Sequence, residues 1–127
     1  MKYAMSKIVD LSYDAAIAKV TEELRKEGFG ILTRIDVKET LKEKLGIDFK
    51  RYAILGACNP GFARSALEVE DEIGLLLPCN VIVYESEGKT RVSIFDPMLM
   101  PNVIENEKIT PIASEVRKHL ERVLASV

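Results

Sequence analysis

The chain has 127 residues, of which 47% are hydrophobic and 30% charged, a balance that indicates one globular domain over residues 1–127. Its net charge of −2 lacks the positive excess that phosphate backbones attract, so we expect no nucleic-acid partner. Lys7 and Asp10 interrupt any signal-peptide core, and no apolar run approaches the roughly 20 residues that span a bilayer. We therefore expect a cytoplasmic protein without a membrane segment.

Hydrophobic periodicity and capping residues divide the chain into alternating strands and helices. Ser12, Asp36 and Asn59 each stand where a helix N-cap belongs, and Gly28 and Gly46 stand where two of the helices end. The predicted elements are, in order, a strand over residues 2–11, a helix over 12–28, a strand over 30–35, a helix over 36–46, a strand over 51–57, a helix from 59, strands over 75–85 and 90–95 joined as a hairpin, and a helix from 110.

This order (β-α-β-α-β-α-β-β-α) predicts an α+β fold, a two-layer sandwich with a mixed sheet of about five strands and helices mainly on one face. The first and last helices have the strongest apolar stripes, so we expect them to pack on the same face of the sheet. A helix connects the third and fourth strands, and these two strands run parallel if that helix forms a crossover.

The sequence contains two Cys-Asn pairs, each with a glycine before it and a proline directly beside it. Residues 56–60 read Gly-Ala-Cys-Asn-Pro, and residues 74–81 read Gly-Leu-Leu-Leu-Pro-Cys-Asn-Val. With Phe-Asp-Pro at residues 95–97, these motifs make nearly the whole chain similar to the family known as domain of unknown function 302. The resemblance implies a small α+β sandwich that forms a homodimer, and it supplies no established activity.

Cys58 is a candidate reactive thiol because it ends a strand directly before the Asn59 cap. Free amides and the positive dipole end of the following helix would stabilise a thiolate there, and Arg64 would add positive charge if it folded back. The competing interpretation is an inert, buried cysteine that fills the core.

Cys79 and Asn80 begin or lie within the fourth strand, beside Pro78. If the third and fourth strands are parallel, both cysteines lie at a similar height, and two thiols and two amides converge on one pocket. Alternatively, Asn59 only caps a helix and Asn80 only satisfies backbone groups near Pro78. Asp96 is foremost a turn residue and secondarily a candidate pocket carboxylate.

Metal and cofactor sites have little support in the sequence. Two cysteines and one histidine cannot form the usual four-ligand zinc site, and we expect neither a resident metal nor a cofactor. A copper(I) or other soft-metal site formed by two thiolates stays open. His119 lies off the apolar stripe of the last helix, so we expect a solvated side chain.

We interpret the chain as a small binding or sensing module with a pocket for a small molecule around Cys58, Asn59, Cys79 and Asn80. One alternative is a thiol enzyme in which Cys58 attacks and Cys79 resolves. Another is a purely structural dimeric protein.

The fourth predicted strand supports a homodimer independently of the family resemblance. It is apolar on both faces, so one helical layer would leave an apolar surface that a second subunit covers. Residues 97–108 folding across that surface are the alternative. The alternating apolar positions are Leu75, Leu77, Val81 and Val83 on one face and Leu76, Ile82 and Tyr84 on the other.

Overall fold

A computed structural model describes residues 2–127, and Met1, the first residue of the predicted domain, lies outside the described residues. The predicted order of strands and longer helices is confirmed, and so is the α+β class. The elements are β1 Ala4–Val9, α1 Tyr13–Lys26, β2 Gly30–Asp36, α2 Val37–Leu45, β3 Tyr52–Cys58, α3 Pro60–Val69, a 3-10 helix Asp71–Leu76, β4 Cys79–Ser86, β5 Lys89–Phe95, a second 3-10 helix Pro97–Leu99, α4 Met100–Val103 and α5 Ile109–Ser126.

Within residues 2–127, five strands form one sheet in the order β1-β5-β4-β3-β2, and every neighbouring pair is antiparallel. The mixed sheet was therefore a wrong prediction, and the parallel arrangement of β3 and β4, on which the expected convergence of the cysteines depended, is not met. A parallel return needs a helix that runs back along the sheet. Instead α3 packs on α5 and on the 3-10 helix Asp71–Leu76, so β4 starts where β3 ends.

Helices α1 and α5 contact each other and pack on the same face of the sheet, as their apolar stripes predicted. Along β4 the buried residues alternate, because a strand side chain reaches the helical layer at every second position. The fully buried side chains of this core include Val20 and Leu24 of α1, Val81 and Val83 of β4, and Leu120 of α5.

Side chains cap the predicted helix ends. Ser12 Oγ accepts from the amide of Ala15, and Asp36 Oδ1 accepts from the amide of Glu39. At the C-terminal end of α5, Lys7 Nζ of β1 donates to the main-chain oxygens of Leu124 in the last turn and of Val127 directly after it. The lysine thus complements the negative end of the helix dipole.

Strand β4 begins at Cys79, four residues later than predicted, because residues 71–76 form a 3-10 helix. Leu75 is therefore outside the sheet and 83% exposed. The predicted hairpin is present, and its two-residue turn places Glu87 and Gly88 at positive φ.

The face of the sheet that points away from α1 and α5 is called here the open face. Residues of this face that pair with one another across the strands include Ser6, Ile8, Ile35, Tyr52, Ile54, Ile82, Tyr84, Arg91 and Ser93. Residues 97–108 do not cross this face, because Pro97–Leu99 and α4 pack on α5.

Candidate functional site

A cavity of about 40 Å³ lies between α3, α5 and the adjoining ends of β3 and β4. Since one water molecule needs roughly 10–15 Å³ by this kind of measure, the space suits a few waters or a small molecule. Most of the wall is apolar. The wall includes Cys58, Asn59, Phe62, Ala63, Cys79 and Met100.

Both cysteines line this cavity. The antiparallel register pairs Ala57 with Cys79, so Cys58 lies one residue beyond that pair. The antiparallel pairing joins the end of β3 to the start of β4, so both cysteines lie at the same end of the sheet. Both side chains are free thiols, Cys58 half-buried and Cys79 only 7% exposed.

Burial raises the pKa of the Cys79 thiol to about 11, and the nearby Cys58 raises it further in the same direction. Desolvation has this effect because it disfavours the charged thiolate more than the neutral thiol. Cys79 is therefore protonated at neutral pH, which makes it a poor nucleophile in the absence of a group that displaces its proton.

Asn59 uses the amides that were expected to be free near Cys58. Its Oδ1 accepts from the amides of Gly61 at 3.1 Å and Phe62 at 3.3 Å, and its main-chain oxygen accepts from Ala63. Pro60 has no amide hydrogen to donate. The first turn of α3 is therefore satisfied within itself, and only the helix dipole is left to stabilise a Cys58 thiolate.

The structure brings Cys58, Asn59 and Cys79 to the cavity, whereas Arg64, Asn80 and Asp96 are not among the residues that line it. Arg64 is on the solvent side of α3, where its Nε donates to Glu68 at 2.8 Å instead of folding back toward Cys58. Asn80 is exposed and pairs with Gly56, one position after the buried Cys79.

The carboxylate of Asp96 has a structural role outside the cavity. Its Oδ1 accepts from the amide of Met98 at 2.9 Å and from Arg117 Nε at 3.2 Å. The carboxylate therefore caps the 3-10 helix Pro97–Leu99 and anchors it to α5, as its turn pattern indicated.

His119 is not the solvated side chain that the sequence suggested. Its Nδ1 lies 2.7 Å from Glu27 Oε1, and its ring centroid is 5.3 Å from that of Phe62 in the cavity wall. Arg122 also donates to Glu27. Both hydrogen bonds lower the pKa of the Glu27 carboxyl, and the one from Arg122 has the larger effect. Contact between α1 and α5 creates this cluster, which helix periodicity alone does not reveal.

Sequence reasoning missed the helical side of the cavity. Met100 lies in a stretch that was predicted to be irregular, and Phe62 was not among the predicted site residues. The sequence feature that could have identified this side of the cavity is the apolar spacing of Ile112 and Val116 on α5. This spacing indicates that the two side chains are buried, but it does not distinguish a filled core from a cavity wall.

Within residues 2–127, no group of three or more His, Cys, Asp and Glu side chains is arranged to hold a metal ion. Over the same residues, every helix is too short or too polar to cross a bilayer.

Comparisons with known proteins find the same architecture. The sequence pattern of the family described as "Domain of unknown function DUF302" matches residues 5–127. The chain is similar to the crystal structure of uncharacterized conserved protein DUF302 from Bacillus stearothermophilus, with a TM-score of 0.93 and 30% identity, over 99% of this chain and 98% of that chain. No curated protein matches the chain.

Proposed function

Because the chain belongs to the family of domain of unknown function DUF302, whose name assigns no activity, we propose a function from its cavity. In this proposal the chain is a small binding module, and its cavity between α3, α5 and the ends of β3 and β4 binds a small apolar molecule. The observation that supports this proposal is an apolar wall that includes both thiols of the chain. Such a wall offers dispersion contacts and sulfur rather than charge.

Binding has more support than thiol catalysis. A resolving thiolate at Cys79 is disfavoured by its raised pKa, and the amides that would activate Cys58 are used by Asn59. His119, the one histidine of the chain, is paired with Glu27 and does not line the cavity. A nucleophilic thiol needs a base or a positive environment, and these groups are committed elsewhere.

Small apolar probes test the binding proposal directly. We expect xenon and benzene to shift the amide resonances of Phe62, Ala63 and Cys79 in nuclear magnetic resonance spectra. Ala63→Leu fills the cavity and removes these shifts, whereas Arg64→Leu, which places the same side chain on the solvent side of α3, retains them. Wild-type resonances that do not respond, or equal responses in both variants, would refute the proposal.

We also propose that two copies of the chain pair through the open face. Ile8 and Ile35 on this face are 47% and 48% exposed, and Ile54, Ile82 and Tyr84 lie between them only partly buried. Identical apolar patches related by a two-fold axis are the commonest way to cover such a surface.

Arg91 of β5, next to the edge strand β1, adds a charged side chain to the open face. Its Nε atom is buried without a hydrogen-bond partner, between Tyr84 and Ile8 in the register of the sheet. A partner subunit that supplied an acceptor would remove this cost. Light scattering at micromolar concentration tests the proposal: twice the chain mass is expected, and a chain mass independent of concentration would contradict it.

A further inference from the structure

Helix α2 buries less of its surface than the other long helices. Each of α1, α3 and α5 buries at least one side chain, whereas no side chain of Val37–Leu45 is buried. Its apolar residues are nevertheless spaced as in a packed helix, since Val37, Leu41 and Leu45 follow at four-residue intervals and share one face. Within residues 2–127 the main contacts of α2 are with β2 and β3, the strands that it connects. Leu45, at the end of the apolar face, is 67% exposed.

Exposed apolar side chains are concentrated around α2. The stretch from β2 to the start of β3 has five large apolar side chains that are each more than a third exposed, and this group is called here the α2 flank. Its members are Leu32, Ile35, Leu45, Ile47 and Phe49. Single exposed apolar residues are common on protein surfaces, but a group of this size within one β-α-β unit indicates an interaction surface.

The α2 flank is continuous with the open face. Ile35 belongs to both, because it pairs with Ile54 in the register of β2 and β3. The ring centroid of Phe49 is 6.5 Å from that of Tyr52, and Tyr52 in turn stacks on Tyr84 of β4 at 5.2 Å. The flank and the open face therefore form one apolar surface that extends beyond the edge of the sheet.

We propose that the second copy of the chain that covers the open face also covers the α2 flank, so that α2 of each subunit packs against the other subunit. This inference rests on the proposed pairing through the open face, and it follows from the area that a stable pair needs. The sheet has five strands of six to eight residues. With strands about 4.8 Å apart and residues about 3.3 Å apart, one face covers roughly 500 Å², whereas a specific interface buries about 800 Å² on each partner.

Part of the open face is also polar, because the hydroxyl groups of Ser6 and Ser93 lie on it and bond to each other at 2.8 Å. The apolar area that the open face offers is therefore smaller still than its outline. The adjoining α2 flank supplies the missing apolar area, and covering it would bury the exposed face of α2.

The charges on α2 fit a second copy of the chain better than a strongly acidic or basic partner. The helix has both signs, with Lys38, Lys42 and Lys44 against Glu39 and Glu43. Around a two-fold axis such a mixed surface can place unlike charges opposite each other, whereas a partner of one sign would meet like charges.

Leu45→Lys tests the α2 flank and is expected to leave the fold of the subunit intact. The site is exposed in the single chain, and a lysine in the last turn of α2 complements the negative end of the helix dipole. A two-fold pair contains the substitution twice, and the loss of each buried leucine weakens association roughly tenfold or more. We therefore expect the dissociation constant from sedimentation equilibrium to rise about 100-fold.

Leu75→Lys is the matched control, because it makes the same replacement at an exposed site outside the sheet and the α2 flank. It is expected to leave the dissociation constant unchanged. Hydrogen exchange of the wild type gives a second measurement. The amides of residues 37–45 should exchange more slowly above the dissociation constant than below it, whereas those of α3, which packs on α5, should not change.

Comparison with Ile54→Lys on the open face separates this inference from the proposed pairing. A wild-type chain that is monomeric at every concentration would overturn both. If Ile54→Lys dissociates the pair while Leu45→Lys behaves as Leu75→Lys does, the pairing is retained and the role of the α2 flank is refuted. A pair that survives Ile54→Lys but not Leu45→Lys would contradict a shared interface, and dissociation by both variants supports it.

Discussion

The side-chain amide of Asn59 donates to the main-chain oxygen of Glu27 across 3.5 Å, which ties the start of α3 to the end of α1. The carboxylate of Glu27 contacts His119 and Arg122 of α5. Three helices therefore meet beside the cavity through two residues, and the stability of the cavity wall depends on this junction.

Replacing Asn59 with alanine is expected to lower the free energy of unfolding by about 1–2 kcal/mol, because the N-cap of α3 and the bond to Glu27 are both lost. Urea unfolding measures the change. Asn80→Ala is the matched control: Asn80 is exposed, and its replacement is expected to change stability by less than about 0.5 kcal/mol. Equal effects of the two substitutions would contradict the role given to Asn59.

Gly28→Ala is expected to destabilise the chain by at least about 1 kcal/mol. Gly28 has a φ of +85°, and an added Cβ would lie 2.9 Å from Asn59 Nδ2. The control is Gly30→Ala, where a Cβ meets no atom within 4 Å. Thermal unfolding of both variants is the measurement, and a neutral Gly28→Ala would show that the loop between α1 and β2 adjusts freely.

The raised pKa of Cys79 predicts a loss of stability at alkaline pH. Above a pH of about 9 the unfolded thiol ionises while the folded thiol keeps its proton up to about 11, so the unfolded state binds fewer protons and the free energy of unfolding falls. The loss attributable to Cys79 approaches about 2–3 kcal/mol once both states are ionised. Denaturant unfolding from pH 8 to 11 should show a shallower decline for Cys79→Ala than for the wild type, and parallel declines would refute the burial effect.

A charge at the centre of the open face is expected to separate the proposed dimer. Ile54→Lys places an ammonium group among apolar side chains, and we expect the chain mass by light scattering at concentrations where the wild type shows twice that mass. Leu75→Lys introduces the same charge at an 83% exposed site outside the sheet and should leave the mass unchanged. A dimeric Ile54→Lys variant would place the interface elsewhere.

Short-range signals in the sequence identified much of the fold. Ser12, Asp36 and Asn59 are all N-caps in the structure, and the turn at Glu87 and Gly88 closes the predicted hairpin. These features depend on interactions within about four residues, so one local pattern is sufficient to specify each of them. The apolar stripes on α1 and α5 likewise indicated the face on which they pack.

The tertiary structure decided the direction of strands and the composition of the cavity. Whether β4 runs parallel to β3 depends on where α3 packs, and the contact of α3 with α5 is a long-range interaction that periodicity does not encode. The antiparallel pairing that results places Cys58 and Cys79 at the same end of the sheet and leaves Asn80 exposed. The pairing of His119 with Glu27 likewise joins residues 92 positions apart, whose contact exists only because α1 and α5 pack side by side.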